Sequence, residues 1–255
     1  MSGFPADSPL VAKVVASPNQ TDRVGPGRPD MIVLHYTGMT SADDALARLC
    51  SREAKVSSHY LVFEDGRIFQ LVPEARRASH AGVSSWEGET DINSRSIGIE
   101  IVNPGHDDGY PDFSVVQIDA VIALCRDILA RRPMRPDRVV AHSDVAPSRK
   151  QDPGEKFPWA RLHAAGVGHW VEPVPPGEAR GLAIGDSGPA VAELQGLLAR
   201  YGYGIAASGQ FDQAMHDVVV AFQRHFRPAR VDGIADASTA ETLRRLLATG
   251  PGVLD

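Results

Sequence analysis

The chain has 255 residues, 43% hydrophobic and 23% charged, with 24 Gly and 19 Pro. This balance excludes collagen-like, coiled-coil, low-complexity and disordered chains and suits one larger plus one smaller domain. Lys and Arg number 26 against 32 Asp and Glu, a formal charge of −6, so no overall basic field attracts nucleic acid or anionic lipid, and neither is expected as a partner.

Residues 1–30 are rich in Pro, Gly and Ser and read as an arm wrapping over the domain. Asp7, Lys13 and the prolines interrupt any apolar core of a signal peptide, so a cytoplasmic location is expected, or a periplasmic or wall-associated one if a leader was trimmed. No run approaches the length of a membrane span. Residues 31–34 (MIVL) form a buried-strand pattern ending at His35, and from Ser41 the segment SADDALARLCSRE carries a cap, early acids and helical spacing. Residues 59–63 and 67–72 read as strands joined by Glu64-Asp65-Gly66, where Asp-Gly supplies the positive dihedrals of a tight hairpin. Residues 97–102 (IGIEIV) predict a strand with Glu100 among apolar neighbours. Residues 114–132 predict a helix, and residues 138–141 a last strand that delivers His142. Cys50 and Cys125 are too few for a disulfide scaffold and read as buried free thiols on helical apolar faces. Strands and helices alternate, which makes this part α/β.

The stretch VEPVPPGEARG after Trp170 has linker composition. The expected organisation is a larger α/β domain over residues 1–172, a linker over 173–182 and a three-helix module over 183–255. Its helices are predicted over 189–201 and 213–226, with a third opened by a capping box at Ser238-Thr239-Ala240-Glu241. Gly209-Gln210-Phe211-Asp212 and Gly233-Ile234-Ala235-Asp236 precede the second and third helices alike. The proline-containing segment is expected to join the two modules as a linker.

Nine histidines occur, and each needs company before it counts as functional. His106, His163, His169, His216 and His225 have none visible in the sequence. His35 and His142 each follow a short apolar strand, where a rigid scaffold presents ligands, and Asp152 comes ten residues after His142 beside Pro153 and Gly154. Two imidazoles and one carboxylate suit catalytic zinc with a fourth position left for water. Glu100, costly to bury as a bystander, would have a raised pKa fitting it to take a proton from that water. Lys150 could place positive charge near the oxyanion formed when the water attacks a carbonyl.

IVLHYTG (residues 32–38), SSHYLVFEDGRIFQLVPE (57–74), ASHAG (78–82), SIGIEIVNPG (96–105) and AHSDVAPSRKQDPG (141–154), in this order, resemble the signature blocks of the zinc-dependent N-acetylmuramoyl-L-alanine amidases of type 2. The resemblance implies a mixed β-sheet flanked by helices, zinc on His35, His142 and Asp152, Glu100 as the catalytic glutamate and Lys150 as the catalytic lysine. In relatives that recycle anhydro-muropeptides, an arginine matching Arg77 holds the diaminopimelate carboxylate of the peptide, so Arg77 and the neighbouring His80 are expected to contact substrate; Ser79 stands where a tryptophan is typical. The tail resembles the all-α three-helix peptidoglycan-binding module of many wall hydrolases. Together these imply a monomeric zinc hydrolase that cleaves the amide between N-acetylmuramic acid and L-alanine in peptidoglycan or its muropeptides. The alternative is a non-catalytic peptidoglycan recognition protein on the same fold.

Overall fold

The computed structural model describes residues 3–25 and 27–250; residues 1–2 and 26 of the expected arm and 251–255 of the expected module lie outside the described residues. The strands are β1 (Lys13–Val14), β2 (Gln20–Asp22), β3 (Met31–Tyr36), β4 (Tyr60–Val62), β5 (Ile68–Gln70), β6 (Arg76–Ala78), β7 (Ser96–Ile101) and β8 (Val139–Ala141). Six of them form one mixed sheet in the order β1-β5-β4-β7-β3-β8, while β2 and β6 pair separately. Within the sheet β4, β7, β3 and β8 run parallel, so their carboxyl ends open on one edge, where α/β sheets bind ligands.

Side chains of β3 alternate between two faces. Ile32 and Leu34 pack with Ile97 and Ile99 against helices α3 (Val115–Arg131) and α5 (Trp159–Ala164), whereas Met31 and Val33 join a cluster on the other face. Apolar residues in sequence are therefore what a strand covered on both sides requires. Helix α1 (Ala42–Leu49) starts where Ser41 accepts a hydrogen bond from the Asp44 amide at 3.2 Å, and α3 starts at Ser114 in the same way. The short helices α2 (Ile92–Arg95) and α4 (His142–Val145) precede β7 and follow β8.

The hairpin between β4 and β5 has a three-residue loop in which, of the expected Asp-Gly pair, only Gly66 takes positive φ (84°). The arm does more than wrap: β1 adds a parallel edge strand beside β5, and the Arg23 guanidinium enters the interior to donate to the carbonyls of Glu74, Ser94 and Ser96 at 2.9–3.0 Å. Both cysteines are free, but only Cys125 is fully buried; Cys50 ends α1 and is partly exposed.

The tail folds into α6 (Pro189–Tyr201), α7 (Gln213–Phe226) and α8 (Ala237–Thr249). Asp212 and Asp236 cap α7 and α8 by accepting from the amides of Met215 (3.0 Å) and Thr239 (2.8 Å), which explains why the two Gly-x-x-Asp turns echo each other. The cap of α8 is thus two residues before the expected Ser238, which is buried in the first turn.

The linker does not hold the module away from the catalytic domain. Trp86, 1% exposed, stands with its ring centroid 5.1 Å from that of Tyr203, and the Glu87 amide donates to the Gly202 carbonyl at 2.8 Å. A Cβ on Gly202 would lie 2.6 Å from the Trp86 ring, so glycine permits this approach. Met31, Val33, Trp86 and Val140 share one apolar cluster with Val191, Phe222 and Leu243 of the module.

Candidate metal centre

Leu34 of β3 and Ala141 of β8 are register partners, so the next residues, His35 and His142, emerge side by side at the carboxyl edge of the sheet. The loop after α4 returns Asp152 to them, tied by a hydrogen bond from the Ser143 amide to the Asp152 carbonyl at 3.0 Å. His35 Nδ1 lies 2.9 Å from His142 Nδ1 and 3.1 Å from Asp152 Oδ2, and His142 Nδ1 lies 3.0 Å from the same oxygen. All three side chains are buried.

Hydrogen bonding behind the rings settles where their protons sit. The Ser96 hydroxyl donates to the Ile92 carbonyl at 2.6 Å, so its oxygen accepts from His80 Nε2 at 3.2 Å; His80 Nδ1 then accepts from His35 Nε2 at 3.0 Å. On the other side His142 Nε2 donates to the Ala81 carbonyl at 3.1 Å. With Nε2 as the donor of each ring, both Nδ1 atoms face each other and a carboxylate oxygen, the positions from which neutral imidazoles offer lone pairs to a cation. Burial, then the His142 ring, pushes His35 down to about 4, so it is neutral at pH 7. Burial alone would raise Asp152, but the two histidines outweigh it and hold its carboxyl well below the usual range. Two such nitrogens and an anionic oxygen in contact call for a shared cation. A tetrahedron with bonds of about 2.0–2.1 Å has edges of roughly 3.3 Å, close to the donor spacing. The donor set and the fixed tautomers fit a metal ion.

Glu100 is the register partner of His35 across β7 and β3. Burial first, and then the Asp152 charge, pushes its carboxyl well above the usual range, with Lys150 acting the other way. Its Oε2 is buried and has no hydrogen-bond partner among the described residues, the condition of a carboxyl available to a substrate or water. Lys150 lines the same cleft of about 510 Å³ with Glu100, His142, Asp152 and Tyr36, a size suited to a small ligand.

The two expected substrate contacts lie behind the cluster and in a neighbouring cavity. His80 is expected to touch substrate, but both its ring nitrogens are engaged, one by His35 and one by Ser96, and it stands behind His35 as its orienting partner. Arg77 lines a neighbouring cavity that shares Ser79 and Arg149 with the metal cleft, and it is paired with Asp91 at 2.9 Å. Histidines set aside for want of company do have it. His106 bonds Tyr36 Oη at 2.9 Å and Glu155 at 3.1 Å beside the cleft, His169 bonds Tyr201 at 2.9 Å, and His225 bonds Asp144 at 2.6 Å. Their partners lie between 32 and 81 residues away, beyond any local motif. Asp144 itself carried a local signal, an acid at the third position of a short helix, where it accepts from the Ala141 amide at 2.8 Å. Among the described residues no helix is long and apolar enough to cross a membrane.

Comparison with known proteins agrees with this geometry. Residues 25–155 match the family described as N-acetylmuramoyl-L-alanine amidase, and residues 187–243 match a peptidoglycan binding domain. The chain is 40% identical over 233 residues to N-acetylmuramoyl-L-alanine amidase AmiD of Escherichia coli (strain K12), covering 85% of this chain and 82% of that one. Among solved structures it resembles the complex of the E. coli amidase AmiD with anhydro-N-acetylmuramic acid-L-Ala-D-gamma-Glu-L-Lys (TM-score 0.75, 39% identity, 90% of this chain and 92% of that one). It also resembles AmpDh3 from Pseudomonas aeruginosa in complex with anhydromuramic pentapeptide (TM-score 0.71, 34% identity, 85% and 90%). With a matching family fold, a His-His-Asp cluster able to hold a metal ion and a relative aligned over most of both chains, this protein belongs to the N-acetylmuramoyl-L-alanine amidase family.

Proposed function

We propose that this chain is a zinc amidase that hydrolyses the amide joining the lactyl group of N-acetylmuramic acid to L-alanine, in peptidoglycan or in muropeptides such as the anhydro-compounds bound by the two liganded relatives. The observation that carries the reading is the meeting of two histidine Nδ1 atoms and one carboxylate oxygen within about 3 Å, with an unpartnered glutamate one strand away. A recognition-only role would leave no use for that glutamate, nor for a complete set of three ligands.

His35, His142 and Asp152 would hold the zinc, which when bound supplies Lewis acidity toward the amide carbonyl and lowers the pKa of water. Glu100 takes a proton from the attacking water at its free carboxyl oxygen and returns it to the nitrogen of the departing L-alanine. Its burial suits this exchange, since a carboxylate whose pKa is raised by desolvation is a stronger base toward water. The Lys150 ammonium faces the cleft and supplies positive charge for the oxyanion of the tetrahedral intermediate. Arg77 offers a guanidinium to a carboxylate of the stem peptide as it leaves the cleft. The module over 187–243 favours the wall polymer as a further binding partner.

Mass spectrometry of a soluble muropeptide treated with the protein tests the activity: stem peptide with a free L-alanine amino group and a muramic sugar with a free lactyl carboxylate are the expected products. Stripping the metal with a chelator should stop the reaction, and zinc should restore it. Full activity in a sample shown to contain less than a tenth of a metal ion per chain, on the order of background, would overturn the zinc reading.

A further inference from the structure

The segment from His142 to Glu155 carries two metal ligands and Lys150, and the neighbouring residues Arg224 and His225 of helix α7 reach both of its ends. At the first end is Asp144, a fully buried carboxylate two residues beyond His142. Its Oδ2 accepts from the Ala141 amide at 2.8 Å and from His225 Nδ1 at 2.6 Å, and its Oδ1 accepts from the Tyr203 hydroxyl at 2.7 Å. Two of these three donors belong to the C-terminal module. The His225 ring cannot turn away, because it is stacked between Phe226 and Trp159 of the catalytic domain, each with ring centroids 3.7 Å from its own. At the second end Arg224 donates to the Gln151 side chain at 2.9 Å and stands 3.4 Å from the Glu155 carboxylate, so it flanks Asp152 on both sides.

A buried carboxylate that loses a donor is left under-solvated, and the backbone carrying it must shift or admit water. For Asp144 that shift falls on α4, whose first residue is His142 and whose Ser143 amide holds the Asp152 carbonyl. We infer that the C-terminal module is a working part of the metal centre: Tyr203 and His225 are positioning residues that fix Asp144 and, through it, the angle at which His142 and Asp152 meet the metal. The inference rests on the reading of the three side chains as metal ligands. It gives the module a role at the reacting end of the molecule that is separate from any binding of the wall.

The test uses the full-length, zinc-loaded chain and a soluble muropeptide. Tyr203→Phe removes only the hydroxyl, and His225→Leu removes the imidazole donor; His225→Asn can place an amide N–H where Nδ1 stood. Zinc affinity is measured by competition with a chelator, and kcat and KM separately. Tyr203→Phe combined with His225→Leu should weaken zinc binding roughly tenfold, the low end for a group acting behind a ligand. It should lower kcat with little change in KM, and His225→Asn should recover part of what His225→Leu loses. Asp212→Ala, which removes the cap at the far end of α7, should lower the thermal midpoint without moving zinc affinity or kcat. Unchanged zinc affinity and kcat in the double variant, or equal losses in Asp212→Ala, would overturn the inference while leaving the zinc reading intact. A wild-type chain that hydrolyses the substrate without metal would overturn both.

Discussion

His35 and Glu100 are register partners on adjacent parallel strands, so an imidazole of the candidate metal cluster and a carboxyl of the cleft leave the same face of the sheet side by side. Two central strands fix that separation, and neither residue depends on a loop to find the other. Glu100→Gln keeps the shape and removes the base. It should leave zinc content and muropeptide binding near wild type while turnover falls by at least ~10²-fold. Near-normal turnover in this variant would assign the proton transfer to another group. His35→Ala and Asp152→Ala should instead lose zinc and turnover together, read by metal analysis of the purified variants.

The relay from His35 through His80 to Ser96 needs room beside β7, and Gly98 provides it. A Cβ at this position would stand 2.5 Å from the His80 ring, so the requirement is space and not a special backbone angle. Gly98→Ala should displace His80 and free the His35 ring to rotate, weakening zinc binding by about 10- to 100-fold as for other partners of metal ligands. His80→Ala should do the same without the clash. Zinc affinity equal to wild type in both variants would show that His35 is oriented by packing alone.

The five residues that the structure gathers around the candidate metal cluster are each attached to a local pattern that the sequence shows. His35 and His142 end apolar strands, Glu100 interrupts one, and Lys150 and Asp152 lie in a Pro- and Gly-bearing turn. What was not legible is tertiary. His225 reads as one more surface histidine on an amphipathic helix until Asp144, 81 residues earlier, is seen against it. His80 resembles a substrate contact until Ser96 is found to occupy its second nitrogen. The composition of the linker correctly suggested an irregular segment, but composition carries no information about whether the elements on either side touch. That was decided by Trp86, whose neighbours Tyr201 and Tyr203 lie in the other module. Even the start of α8 turned on a choice between two good capping residues, Asp236 and Ser238, which only the bond to the Thr239 amide resolves.

Acid should destabilise the fold through two buried groups away from the cleft. Burial, and then Arg23, pushes His59 from 6.5 down to about 3, while Gly98 and Arg76 occupy its ring nitrogens. Burial raises Glu74, but Arg131, Arg132 and Tyr60 outweigh it and bring its carboxyl from 4.5 down to about 2. Both folded values lie below the unfolded ones, so the unfolded chain binds more protons. Stability is fully present above pH 6.5, falls from there toward pH 3 through His59, and falls further from pH 4.5 toward pH 2 through Glu74. The loss between pH 7 and pH 4 should be on the order of a few kcal/mol. Thermal midpoints of wild type and His59→Gln across this range measure it: the variant should show a shallower decline between pH 6.5 and pH 4, and parallel curves would place the pH sensitivity elsewhere.

Removal of residues 183–255 separates a tethered module from an integrated one. A tethered module would be lost at a cost only to insoluble wall, because a soluble muropeptide fills the zinc cleft alone. The structure predicts a wider loss. Truncation would strip Trp86 of Tyr201 and Tyr203, open the apolar cluster that includes Met31 and Val33 of the central strand, and leave Asp144 with the Ala141 amide as its remaining donor. Trp86→Ala in the full chain should on its own cost roughly 3–5 kcal/mol, as for other buried aromatics, which is a large part of the stability of a domain. The truncated chain is therefore expected to melt well below the full-length protein and to hydrolyse soluble muropeptide several-fold more slowly, in addition to binding sacculi less. Turnover on the soluble substrate equal to wild type, in a truncated chain with an unchanged thermal midpoint, would show that the catalytic domain is complete without the three helices packed on it.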